Sequence, residues 1–194
     1  MKNSFFALVF RQRYIKRWGL MRNVFDENLA EHSAQTAMIA HALAVISVKR
    51  LGKNVNPDAV TTAALYHDAS EIYTGDMPTP IKYYNDEIHE NYKQIENTAI
   101  SQLVAGLPDD LAPDYRKILD IPDPEIHRLV KAADKLCAYI KCVEEIKCGN
   151  REFADAGASI RKSLDDMNCP ELDIFMSEFL PPFGSTLDGL NGKS

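Results

Sequence analysis

LAEHSAQTAMIAHALAVISVKRL, residues 29–51, is the stretch on which the fold turns. Between residues 33 and 48 it carries no Asp, Glu, Lys or Arg. Its Ala, Leu, Ile and Met residues favour helix, and Gly52 follows as a stop. A helix that is apolar over most of its circumference belongs inside a core. It falls short of the roughly 20 apolar residues of a membrane span, and Gln35, Thr36 and His41 interrupt it.

The neighbouring segments keep the same helical period. Asn56-Pro57 is a cap followed by proline at the first helical position, which predicts a helix over residues 57–73 ended by Gly75. Gly75-Asp76-Met77-Pro78-Thr79-Pro80 holds two prolines within three residues and reads as a stiff, ordered loop. Asn85 caps the next helix, which ends near Gly106, and a shorter turn covers residues 110–119. Asp123-Pro124 starts a helix to Lys147, stopped by Gly149. Two further helical pieces cover residues 152–167 and 170–179, and residues 184–194 read as a frayed tail. No segment alternates over strand length, and there is no repeat, linker or low-complexity tract. The expectation is an all-α bundle of about six to eight helices, one domain over residues 1–194.

A chain of 194 residues can bury roughly 70% of its unfolded surface, so it needs no disulfide or structural metal to hold a core. Its 22 basic and 28 acidic residues give a net charge of −6. That excludes a generic binder of nucleic-acid polymers, which needs a basic surface to displace counterions, but not a small anion held by a local positive cluster. Cys137, Cys142, Cys148 and Cys169 form no CxxC pair and read as reduced, buried thiols in a cytoplasmic protein. The apolar run at residues 5–10 is too short for a signal-peptide core, so neither export nor a membrane is expected.

Ionisable residues on apolar helix faces are the anomalies, because burying one without a partner is costly. Asp134 borders the stripe Val130, Ala133, Cys137, Ile140. There it needs a cation, several donors or a metal; a surface salt bridge to Lys131 or Lys135 is the plainer alternative. His67 and Asp68 are adjacent at the end of an apolar turn, pointing about 100° apart, and both can reach one ion between them. Glu71, four residues after His67, is expected on the same face one turn on. His32 lies in the first turn of the most apolar helix. His41, His89 and His127 lack an acidic companion in a matching position and read as structural or exposed. Two imidazoles and two carboxylates without a thiolate are not a structural zinc set. They suit Mn²⁺, Co²⁺, Fe²⁺, Ni²⁺ or Mg²⁺ with water in the open positions. Spacing alone leaves their convergence open.

The order His … His-Asp … Asp on a helical chain resembles the HD-domain metal-dependent phosphohydrolases. Arg17-Trp18, Glu31-His32-Ser33, Tyr66-His67-Asp68-Ala69-Ser70-Glu71, Thr74-Gly75-Asp76-Met77-Pro78-Thr79-Pro80 and Lys131-Ala132-Ala133-Asp134 together resemble the bacterial 5′-deoxynucleotidase family of that superfamily. The resemblance covers residues 5–187. It implies an HD-domain bundle that hydrolyses deoxyribonucleoside 5′-monophosphates to deoxyribonucleoside and phosphate. It implies one divalent ion, Co²⁺ or Mn²⁺ before others, on His32, His67, Asp68 and Asp134. It implies that Arg17 orients the phosphate and Trp18 stacks on the sugar, while Asp76, Met77, Pro78 and Thr79 contact the nucleoside. The substrate is therefore expected to meet Arg17, Trp18, the loop and the ligands His32, Asp68 and Asp134. The expected catalytic residues are Glu71 for proton transfer, Asp68 to position the attacking water and Arg17 to orient the phosphate. A homodimer is also implied. Met77 stands where related chains often carry Leu, a volume-conserving swap.

Each substrate assignment has a plainer counterpart, with Trp18 as a core tryptophan and Asp76 as a turn cap after Gly75. For the whole chain the alternatives are an HD-domain phosphodiesterase, a nucleoside triphosphate hydrolase, or a catalytically silent helical binding protein. Triphosphates would call for more cations than Arg17, Lys16 and Arg22 near the pocket.

Overall fold

Asn28 opens the central helix with a reciprocal cap: its side chain accepts from the backbone of Ala30 and Glu31, and Glu31 reaches back to the Asn28 amide. At the other end Gly52 turns left-handed, with φ 65°. The computed structural model describes residues 2–192 apart from Tyr83, and only the backbone of Thr79 and Pro80. Its helices are α1 Phe5–Val9, α2 Leu29–Leu51, α3 Pro57–Tyr66, α4 Glu71–Thr74, α5 Thr79–Lys82, α6 Asp86–Val104, α7 Ala112–Asp120, α8 Pro124–Lys147, α9 Ala154–Asp165, α10 Pro170–Glu178 and α11 Leu187–Leu190. Short 3-10 turns cover Phe10–Tyr14, Arg151–Phe153 and Pro181–Gly184. Among the described residues there is no strand, only an isolated antiparallel bridge between Lys16 and Asn28. Seven helices have nine or more residues, so the all-α bundle expected from the sequence is the observed one. None is long and apolar enough to cross a membrane.

The long helices form because each has a start signal and an apolar face to bury. Asn56 and Asp123 cap α3 and α8 through their side chains, each with proline at the first helical position. The main core joins α2, α3, α8, α9 and α10 through Leu43, Val60, Leu129, Leu136, Leu164 and Leu172. Leu43, Leu129 and Leu136 are fully buried; truncating any one to Ala costs about 2–5 kcal/mol. A second core gathers Phe5, Ala69, Leu103, Leu107 and Leu119, bringing α1, α6 and α7 together. There Gly106 permits the close approach of the N-terminus, since a Cβ would lie 2.8 Å from the Ser4 hydroxyl and 3.1 Å from the Phe5 nitrogen.

α3 runs between these cores. Ala63 and Ala64 pack into the first, Tyr66 and Ala69 into the second. Here the sequence expectation needs correcting: the helix over residues 57–73 is broken. After Tyr66 the backbone bonds shorten to a three-residue step, with Ala69 donating to Tyr66, Glu71 to Asp68 and Tyr73 to Ser70. The cause lies in a side chain. His67 Nδ1 lies 2.7 Å from the Ala64 carbonyl, occupying the acceptor that an unbroken helix would offer to Asp68. Glu71 therefore starts a new helix rather than riding one turn above His67.

Two smaller expectations also change. The tail over residues 184–194 contains the end of a 3-10 turn and α11, whose cap is Thr186 accepting from Gly189. No α11 residue is buried, so local capping alone forms it. Cys137, Cys142 and Cys169 are buried free thiols, whereas Cys148 lies past the end of α8 and is exposed.

Candidate metal centre and substrate pocket

His32 enters from the first turn of α2, His67 and Asp68 from the tightened turn after α3, and Asp134 from α8. One ligand atom of each lies within 4.8 Å of all the others. His32 Nε2 is 3.0 Å from Asp134 and 3.7 Å from Asp68. His67 Nε2 is 3.1 Å from Asp68 and 3.8 Å from Asp134. The His67 Nδ1 proton points at Ala64, which leaves Nε2 for a ligand. His32 is fully buried, whereas the Asp134 side chain is 40% exposed and opens the cluster to solvent.

The electrostatics favour a dication here. Burial opposes charge on His67, yet Asp68 and Asp134 beside it push its pKa well above the ordinary value. Burial likewise opposes charge on Asp134, but its hydrogen bond with His32 and the neighbouring charge of His67 hold its carboxyl well below the usual range. The two carboxylates thus draw positive charge onto both imidazoles, and His32 is raised as well. A divalent ion would bring the same charge to the same place and release those protons. Borderline nitrogen and hard oxygen donors fit such an ion.

Arg17 stands over this cluster. Its guanidinium is 3.6 Å from Asp68 and 3.7 Å from both Asp76 and Glu27. Burial works against its charge, but Asp134, Asp76, Asp68 and Glu27 more than offset that. Its Nε is buried without a hydrogen-bond partner. Lys16 and Arg22 turn outward instead, to Asp26 at 2.8 Å and Glu152 at 2.6 Å.

Arg17 and Trp18 are held by a loop that folds back on the start of α2. Arg17 donates to the Glu27 carbonyl and Leu29 to that of Ile15, both at 3.0 Å. The loop is tied to α8 by buried charge: Glu145 accepts from the backbone of Val24 and Phe25, and Lys141 donates to the Phe25 carbonyl. Trp18 lies on Phe153 at a centroid distance of 5.3 Å and donates its indole N–H to Glu27 at 2.7 Å. Its φ is 56°, a left-handed value that costs a bulky residue about 1–3 kcal/mol and gathers at functional sites. Trp18 is half-buried, so it is neither a full core residue nor a free one.

Glu71 is 7% exposed, and one of its oxygens is buried without a hydrogen-bond partner. Burial, then the neighbouring carboxylates of Asp68 and Asp76, push its pKa up to about 9. Asp76 is also raised, by burial partly offset by Arg17 and the nearby Trp18 backbone amide. Met77 is half-buried and Pro78 exposed along the same loop; the Thr79 side chain lies outside the described residues. His41 and His127 are exposed and His89 is half-buried.

Sequence reading missed Glu27, Lys141 and Glu145. Glu27 sits in an Asp-Glu-Asn stretch that looks like a polar loop, yet it is 7% exposed. Burial opposes its charge, but contacts with His32, Arg17 and Trp18 hold its pKa below the ordinary value. Lys141 and Glu145 show the i, i+4 spacing of a surface pair but are buried.

A family model described as 5′-deoxynucleotidase YfbR-like matches residues 4–183. A 5′-deoxynucleotidase of Pectobacterium atrosepticum is 48% identical, covering 100% of this chain and 98% of its own. One of Yersinia pestis is 48% identical over 97% of each chain. Among solved structures, an HD-domain phosphohydrolase from Listeria innocua superposes with a TM-score of 0.80 at 24% identity, covering 93% of this chain and 88% of that one. The cyanophage S-2L HD phosphohydrolase DatZ, solved with dA and one catalytic Zn²⁺, gives 0.68 at 22% identity, covering 93% and 96%. At these identities the two structures speak for the fold.

Proposed function

The chain belongs to the YfbR-like 5′-deoxynucleotidase family and hydrolyses deoxyribonucleoside 5′-monophosphates, and from that premise we propose how its residues divide the work. We assign the divalent ion to His32, His67, Asp68 and Asp134, with Mn²⁺ or Co²⁺ as the working metal. The observation that carries this assignment is the convergence of four ligand atoms within 4.8 Å beneath the Arg17 guanidinium. When bound, such an ion supplies Lewis acidity toward a phosphoryl oxygen and a lower pKa for water.

Arg17 grips the phosphate. Its planar fork can bind two oxygens at once, and its present carboxylate neighbours stand at ion-pair rather than hydrogen-bond distance. Asp68 orients the attacking water by accepting one of its hydrogens. As water adds to phosphorus, the bond from phosphorus to the 5′-oxygen breaks and that oxygen needs a proton, while the proton that the added water gives up returns to the carboxylate that donated. Glu71, kept protonated at neutral pH, supplies it. Trp18 and Asp76 form the sugar wall: the rigid indole leaves no room for a 2′-hydroxyl, and Asp76 accepts from the 3′-hydroxyl. Met77, Pro78 and Thr79 continue the nucleoside wall.

The outward pairing of Lys16 and Arg22 favours a monophosphate over a longer phosphate chain. Residues 1–194 act as one HD-domain unit, as a homodimer, in the cytoplasm, where four free thiols stay reduced. The test is phosphate release from 5′- and 3′-monophosphates, ribo and deoxy, with Mn²⁺, Co²⁺ and other divalent ions. Metal-dependent release from deoxy 5′-monophosphates is expected, with Glu71→Gln sharply lowering kcat. Near-normal kcat in Glu71→Gln would remove its proton role, and an unchanged dAMP to AMP ratio in Trp18→Ala would remove the steric wall.

A further inference from the structure

Glu27 touches both halves of the site. One oxygen accepts the Trp18 indole proton at 2.7 Å. The other lies 3.5 Å from His32 Nδ1, a fully buried nitrogen without a hydrogen-bond partner. The Glu27 carbonyl also takes the Arg17 amide at 3.0 Å. A neutral histidine that binds a metal through Nε2 carries its proton on Nδ1, and an acceptor for that proton fixes the ring and makes the ligand more basic. His67 meets this need with the Ala64 carbonyl; for His32 the facing acceptor is Glu27.

We propose that Glu27 is a positioning residue that couples the metal site to the sugar wall, one carboxylate oxygen fixing the His32 ring and the other fixing the Trp18 indole. The proposal rests on His32 as ligand and Trp18 as sugar wall. Trp18 holds a left-handed backbone, so its indole needs an outside tether to keep one orientation. Because the tether is the carboxylate behind His32, a change at the sugar wall is felt at the metal and the reverse.

The experiment strips metal from the full chain and titrates Mn²⁺ by calorimetry, alongside Tm and the kcat and KM for dAMP and AMP. Glu27→Gln keeps the size but faces one of two donors with an amide N–H. It is expected to weaken Mn²⁺ binding about 10–100-fold and to lower the dAMP to AMP ratio in kcat/KM. Trp18→Phe leaves every ligand in place and removes only the indole N–H. It is expected to weaken Mn²⁺ binding as well, toward the lower end, about tenfold.

Parental Mn²⁺ affinity in Glu27→Gln, with or without a lower Tm, overturns the proposal. If Glu27→Gln does not fold, Trp18→Phe decides alone: parental Mn²⁺ affinity there overturns the coupling. His32→Ala separates the two levels. If it binds Mn²⁺ like the parent, the ligand reading falls and takes the proposal with it. If it loses Mn²⁺ while Glu27→Gln does not, the proposal alone falls.

Discussion

Two clusters of buried charge lie along the same pair of helices, toward opposite ends. Near the end of α2 and the start of α8, Glu171 is fully buried and accepts from Ser47 and Lys53 at 2.8 Å and from Arg128 at 2.9 Å. Glu125 completes the balance against the two cations. Near the start of α2 the arithmetic is different. Arg17 faces Glu27, Asp68 and Asp76 at ion-pair distance, with Asp134 and Glu71 close by. His67 Nε2, Arg17 Nε and one Glu71 oxygen are buried without hydrogen-bond partners. The first cluster is complete in itself. The second is acid-rich and geometrically open, which is what a site for a dication and a phosphate requires.

That contrast breaks most sharply at Asp134. Asp134→Asn is expected to abolish phosphate release, since it removes the carboxylate that faces both imidazoles. In the parent, Mn²⁺ at about a hundred times its Kd should add about 2.7 kcal/mol of stability, or about 5–11 °C in Tm for a chain of this size. Asp134→Asn should lose that shift, and calorimetry with and without Mn²⁺ checks both.

Glu171→Gln probes the other cluster. It leaves Lys53 and Arg128 facing an amide and should cost about 2–3 kcal/mol, below the usual 3–5 for a broken buried pair, because both cations reach solvent. Thermal unfolding should show the loss, while the Mn²⁺ shift and the kcat of the folded enzyme stay parental. The same residue sets an acid limit. Burial opposes the Glu171 charge, but Arg128 and Lys53 hold its pKa far below the ordinary 4.5. A depressed carboxylate contributes stability above its ordinary value and loses it as pH falls toward the folded one. Tm should therefore drop on acidification below about pH 4.5, and the slope should flatten in Glu171→Gln. At the small end, Met77→Leu conserves volume and should leave Tm and dAMP turnover nearly unchanged, within about 1.5 kcal/mol.

The sequence made α2 and α8 legible end to end, because Asn28, Gly52, Asp123 and Pro124 are local signals with local causes. Residues His32, His67, Asp68 and Asp134 could be singled out as charge on apolar faces, and they are the set whose ligand atoms converge. The break after Tyr66 was hidden, since it depends on which way the His67 ring turns rather than on any breaker residue. Glu27, Lys141, Glu145 and Glu171 were hidden for a shared reason. Lys141, Glu145 and Glu171 are buried against partners far along the chain, and Glu27 against the Trp18 side chain across a loop; period and composition cannot see that.

The break in α3 has a mechanical side. His32 and Asp134 are carried by helices of the larger core, whereas His67 and Asp68 hang from the seam where Ala64 belongs to one core and Ala69 to the other. The two cores are natural candidates for separate cooperative opening units in hydrogen exchange. An ion bound across the seam, as proposed, would act as a rivet between them. With it in place, neither unit would open at the His67–Asp68 turn without first surrendering a proposed ligand, so amide protection on both sides should rise together as one block on adding Mn²⁺.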